Sequence, residues 1–283
     1  MGKNYIVANE DGERVYGAKI ILPEQLEAIK HQKKKRAVIE NSSALFVFTE
    51  METIKGRLSK MKNKELGYFL LLQTYVDYNN MLKASPNAKL PMNNKEIAKK
   101  LNVTPRTVST LIKKLVEKEL LYKDTVVLYG KSHKAFFINP EYCFRTGVAG
   151  QYSKNKTDKV VKVFINSLQE AYEEGLQPAD IGFVYKTIQL IHYETNLLVT
   201  NPNERELYLI NTLTLDSLAQ MMNMSLEETS RKLSHLQWNG MYIYAKTKVG
   251  KQLMIKANPF ILYRKAGEPD IKLGAEFIVN KCN

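Results

Sequence analysis

Arg106, Thr107, Ser109, Thr110, Lys113 and Lys114 crowd into nine residues and offer one kind of chemistry. A guanidinium fork matches the edge of guanine, hydroxyls exchange hydrogen bonds with bases or phosphate oxygens, and ammonium groups neutralise phosphates. Thr104 precedes the group, and Lys131, His133 and Lys134 follow it. Such a set grips and reads a nucleic acid; it neither makes nor breaks bonds. Residues that could do so are scattered. His31, His133, His192 and His235 form neither HxH nor HExxH, so no metal ligand set emerges. The chain has no GxxxxGK[ST] phosphate loop. Tyr68, Tyr75 and Tyr185 fall at helical spacing and suit a core better than a nicking site, and Cys143, between Tyr142 and Phe144, suits a core as well. No catalytic residue, metal or cofactor is expected.

The pattern around these residues says what positions them. Ile97, Ala98 and Leu101 lie on one side of a short helix, and Asn102-Val103-Thr104 breaks its period. Thr104 followed by Pro105 supplies an N-cap and a first-turn proline, so a second helix begins there. Its apolar residues are Val108, Leu111, Ile112 and Leu115, which leaves the basic and hydroxyl side chains on the other faces. That is a helix-turn-helix whose second helix suits a major groove. Two β-rich runs, Thr125–Tyr129 and Ala135–Ile138, flank Gly130-Lys131-Ser132-His133 and predict a hairpin with a basic tip. A hairpin directly after a helix-turn-helix is a wing, with Lys131, His133 and Lys134 placed along phosphates or in a minor groove. Between Lys83 and Arg145 there are 13 Lys/Arg against 5 Asp/Glu, a net of +8 out of +13 for the chain.

That balance suits a polyanion, and 44% hydrophobic with 25% charged residues describes a globular chain of 283 residues, long enough for about two domains. Two distant cysteines, no signal-peptide core and no apolar run of spanning length predict a cytoplasmic protein away from membranes. Residues 1–44 read as an extension: a hairpin about Asp11-Gly12, then a helix from Pro23 that ends in Lys33-Lys34-Lys35-Arg36. Leu45–Phe48 predicts a strand, and Met51, Ile54, Leu58 and Met61 a helical stripe. Glu65–Leu82 predicts a helix that is apolar nearly all round and therefore central.

The chain also repeats itself. Leu66-Gly67-Tyr68-Phe69 has a counterpart in Ile181-Gly182-Phe183-Val184, and Ile97-Ala98-x-x-Leu101-Asn102 returns 121 positions later as Leu218-Ala219-x-x-Met222-Asn223. Asn139-Pro140-x3-Phe144-Arg145 returns as Asn258-Pro259-x3-Tyr263-Arg264, and the stripe Val160, Val161, Phe164, Leu168 and Tyr172 parallels Met51–Met61. The expected fold is mostly α with small β-hairpins (α+β), as two tandem winged-helix domains. Residues 45–147 are the first and 158–267 a diverged second, with a linker at 148–157 and a C-terminal tail at 268–283. In the second, Ser225-Leu226-Glu227-Glu228 stand where the first has Thr104-Pro105-Arg106-Thr107, and carboxylates repel phosphates. Arg231, Lys232 and His235, with Lys248 and Lys251 on the second hairpin, remain as DNA contacts. This unit therefore touches DNA mainly through its wing or serves dimerisation, so a homodimer stays open.

Residues 65–147 resemble the winged-helix domain of replication and regulatory proteins on phages and plasmids of Gram-positive bacteria. The resemblance is carried by Leu66-Gly67-Tyr68-Phe69, Tyr75-Val76-Asp77-Tyr78, Lys95-Glu96-Ile97-Ala98, Val108-Ser109 and Phe137-Ile138-Asn139-Pro140-Glu141-Tyr142. It implies a partner in double-stranded DNA. A transcription regulator needs nothing beyond site-specific binding and is the leading expectation. A replication initiator on origin repeats and a winged-helix protein-interaction adaptor are the alternatives.

Overall fold

A computed structural model describes residues 45–58, 60–145, 159–250, 252–265 and 267–279, without the side chains of residues 55 and 57. Residues 1–41 and 42–283 are separate units, and every described element belongs to the second. The expected N-terminal hairpin and helix, the linker at 148–157 and Lys251 lie outside the described residues.

The first run of elements opens with β1 (Phe46–Glu50), a π-helical turn at Ile54–Leu58 and helix α1 (Asn63–Gln73). Leu66 to Gln73 are all buried, as an all-round apolar helix must be. The helix is shorter than the apolar run suggests. It stops at Gln73, and Tyr75 to Leu82 fold back in a loop closed by a Val76–Leu82 bridge. Polar groups make that stop: the Thr74 hydroxyl donates to the Leu71 carbonyl, and the Asp77 carboxylate accepts from the Asn79 and Met81 amides.

Next come α2 (Asn94–Lys100) and α3 (Pro105–Glu117). Asn93 and Glu96 form a capping box on α2, and the Thr104 hydroxyl caps α3 ahead of Pro105. Between them Asn102 takes a left-handed conformation, φ 44°, which the tight turn requires and asparagine tolerates. Strands β2 (Leu121–Leu128) and β3 (Lys131–Ile138) pair in register from Leu121–Ile138 out to Leu128–Lys131, longer at the base than the β-rich runs alone suggest. Strand β4 (Cys143–Phe144) closes this half.

The second run starts at β5 (Val160–Phe164) and α4 (Ile165–Glu173). The stripe from Val160 to Tyr172 is therefore a strand and then a helix. All five residues of β5 are buried, and a fully buried strand loses the alternation that separates it from a helix. Helices α5 (Pro178–Thr187), α6 (Leu215–Met222) and α7 (Leu226–His235) follow. Then come the short pair β6 (Gln237–Trp238) and β7 (Met241–Tyr242), the hairpin β8 (Tyr244–Val249) and β9 (Gln252–Ala257), and β10 (Leu262–Tyr263). The C-terminal stretch is not loose: a 3-10 helix at Ile271–Phe277 buries Phe277, and Glu276 pairs with Lys256.

Two features join the runs. Their strands share one antiparallel sheet in the order β10-β5-β1-β4, with Phe46 opposite Phe164 and Glu50 opposite Val160. Helices α1 and α5 pack at two glycines: a Cβ on Gly67 would lie 1.7 Å from the Pro178 carbonyl oxygen, and one on Gly182 1.8 Å from that of Asn63. Across this seam the buried Gln73 accepts from the Thr49 hydroxyl and donates to Tyr185 Oη.

The same contacts occur in both runs. Asn80 and Asn196 are both left-handed, and each donates its side-chain amide to two carbonyls of its own half, Ile138 and Cys143 or Ala257 and Leu262. Arg145 lies over the Tyr78 ring and reaches the Val76 carbonyl; Arg264 lies over Tyr193 and reaches that of Ile191. Asn223, between α6 and α7, repeats the left-handed turn of Asn102.

Candidate nucleic-acid interface

Helix α3 buries Val108, Leu111, Ile112 and Leu115 against the core. Arg106, Thr107, Ser109, Thr110, Lys113 and Lys114 are exposed, and Thr104 stands at the tip. The sequence placed these residues on one surface, and the structure brings them together there. Their chemistry is more differentiated than their types suggest. Among the described residues, the Arg106 guanidinium has no hydrogen-bond or ion-pair partner, so its fork is uncommitted. Thr104 Oγ1 accepts from the Thr107 amide, holding the first turn. Ser109 Oγ donates to the Pro105 carbonyl at 3.0 Å and accepts from the Asn94 side chain, tying α3 to the start of α2. Thr110 Oγ1 donates to the Arg106 carbonyl at 3.2 Å. With their protons turned back to the helix, Ser109 and Thr110 offer lone pairs, the complement of base amino groups rather than of phosphate oxygens.

The two lysines differ as well. Lys113 is open and only 3.9 Å from Glu117, a weak pair one turn on. Lys114 holds Glu65 of α1 at 2.6 Å, and that carboxylate raises its pKa. Lys114 thus anchors α3 to α1 while still half exposed. Lys64, exposed at the start of α1, lines a 380 Å³ hollow beside Thr104, Arg106 and Thr107. Periodicity could not find it, because it belongs to a helix 40 residues earlier.

On the hairpin, Lys131 and Lys134 are exposed and His133 is half-buried opposite Val126. Lys123 is exposed on the strand face that also carries Thr125 and Lys134, a basic residue that sequence reasoning passed over. At the base, Tyr122 and Phe137 stack with centroids 5.1 Å apart and planes 5° off parallel, which braces the ribbon.

The second run is built differently. Arg231 and His235 are exposed on α7. Lys232, expected to reach DNA, is only 5% exposed and is paired with Asp180 of α5 and Glu228 of its own helix. Asp180 comes from a helix 52 residues away, which no local pattern reveals. Leu226 and Glu227 are exposed at the start of α7. Lys248 is exposed on β8, while Lys246 donates to Ser234 Oγ of α7. No group of three or more metal-binding side chains occurs among the described residues. No helix there is long and apolar enough to cross a membrane.

Capped helix, left-handed turn, second helix with an exposed basic face, then a two-stranded hairpin: the order and geometry decide the fold. It is a winged helix-turn-helix. Residues 88–125 match the model of the MarR family, a stretch that covers α2, α3 and the start of β2 and is well under half of the chain. That family is one of winged-helix transcription regulators, so the match supports DNA binding in transcription regulation as the general role. No curated protein and no solved structure matches.

Proposed function

We propose that the chain binds double-stranded DNA sequence-specifically through α3 and the β2–β3 wing, as a transcription regulator of a phage or mobile element. The observation that carries the reading is the face of α3: an uncommitted Arg106 guanidinium among exposed hydroxyls, of which Ser109 and Thr110 donate back to the helix, flanked by Lys113 and the wing lysines. Arg106 meets a guanine edge; Thr107, Ser109 and Thr110 meet neighbouring bases; Lys113, Lys131 and Lys134 meet phosphates.

The matched contacts in the two runs, at Asn80 and Asn196 and at Arg145 and Arg264, support reading the chain as two tandem winged-helix units. In the second unit the wing, with Lys248, touches DNA, and Arg231 and His235 add contacts from α7. The neutralised Lys232 and the exposed Glu227 support a smaller share for α7 than for α3. Selection of binding sites from random duplexes, followed by footprinting beside the chain's own gene, tests the reading. A single site at a promoter is expected. The two-unit plan also fits an initiator, and an array of repeats in the footprint would favour that reading over regulation.

A further inference from the structure

The tip of the first wing carries an aromatic side chain that the fold does not call for. Strands β2 and β3 are joined by only two residues, Tyr129 and Gly130, both with positive φ, 52° and 73°. A turn of that kind favours asparagine, aspartate or glycine at its first position, because a Cβ is crowded there. The β8–β9 hairpin of the same chain shows what the geometry prefers. There Val249 pairs with Gln252, and the turn begins with Gly250 at φ 61°. Tyr129 thus replaces the favoured residue with a large ring, and that ring is 73% exposed. Val127, just before it, is 70% exposed. Lys131 sits beside the turn opposite Leu128, and the stack of Tyr122 on Phe137 braces the ribbon behind it.

We propose that Tyr129 enters the minor groove next to the segment read by α3, where its ring covers the sugar walls and wedges against a base step. The proposal rests on the DNA-binding reading above. Apolar wedges partly unstack a step and open the groove, which is easiest at flexible pyrimidine–purine steps. The adjacent Lys131 draws the tip toward the phosphates on either side.

Two variants of the full chain test it on a duplex selected for the wild type. Tyr129→Asn removes the ring but suits positive φ, so the hairpin folds as well as before or better. About tenfold weaker binding is expected, with an unchanged or raised melting temperature. Tyr129→Trp places a reporter at the tip, distinguishable because the native Trp238 is buried; its emission should be quenched on DNA by stacking. Binding of Tyr129→Asn within about twofold of the wild type would overturn the proposal. So would weaker binding without quenching of Tyr129→Trp. If the wild type bound no duplex at all, the DNA reading itself would fail, an outcome visible before either variant is compared.

Discussion

At the scale of single residues, equal formal charges play unequal parts. Lys131 is exposed at the wing with no ion pair among the described residues, Lys114 is half exposed and tied to Glu65, and Lys232 is buried against Asp180. Lys131→Ala should weaken binding to every duplex alike and reduce the slope of log affinity against log salt by about 0.9, the signature of one lost phosphate contact; titrations at several salt concentrations measure it. Lys232→Ala should act on folding, because it leaves Asp180 and Glu228 facing each other across a partly buried site. A loss of about 3 kcal/mol in chemical denaturation is expected, with little change in DNA affinity per folded molecule. The exposed face of α3 was legible because exposure on a capped amphipathic helix follows from its period. Whether a lysine is committed was not legible, since its partner comes from a distant helix. Arg231-Lys232 reads as an exposed basic pair, and only α5 reveals otherwise.

At the scale of elements, the seam between α1 and α5 governs where everything else lies. Gly67 and Gly182 allow backbone to touch backbone, so Gly67→Ala must push the Pro178 carbonyl away. A loss of about 3 kcal/mol in stability is expected by thermal or denaturant unfolding, although alanine is the better helix former. Helices with caps were legible to within a residue or two: Thr104-Pro105 opens α3, as its types require. Boundaries set by polar loop groups were not, and Asp77 turning the chain after α1 is the clearest case. Strand β5 was hidden for another reason: its apolar run fits a buried strand and a buried helix equally until β1 is seen beside it. The core also sets a pH limit. Burial pushes the hydroxyls of Tyr75 and Tyr172 up to about 12, and those of Tyr185 and Tyr244 and the Cys143 thiol up as well. The folded chain keeps these protons where the unfolded chain, with ordinary values of about 8.5 for cysteine and 10 for tyrosine, has begun to lose them. Stability from these groups is therefore complete at neutral pH and falls as pH rises from about 9 toward 12; melting temperatures across that range should decline.

At the scale of the whole molecule, the two runs of elements share one sheet and one helix seam, so a single chain holds the helix pairs α2–α3 and α6–α7 in a fixed relation. One chain per site is the expected stoichiometry, measurable by sedimentation of the protein–duplex complex, and two chains on a minimal site would contradict it. The matched contacts were legible because asparagines, glycines and arginines with backbone duties recur at matched places. The chemical difference between the faces of α3 and α7 was legible only in part. Glu227-Glu228 signalled it, while the burial of Lys232 needed the fold. The account stands or falls with α3 as the reading helix. The affinity of Arg106→Ala for a selected site and for random duplex, set beside the wild type, tests this most directly. A loss of about 1–3 kcal/mol on the selected site, relaxed preference at one base pair and nearly unchanged binding to random duplex are expected. Equal weakening on both DNAs would show that Arg106 only neutralises phosphate, and would contradict the account.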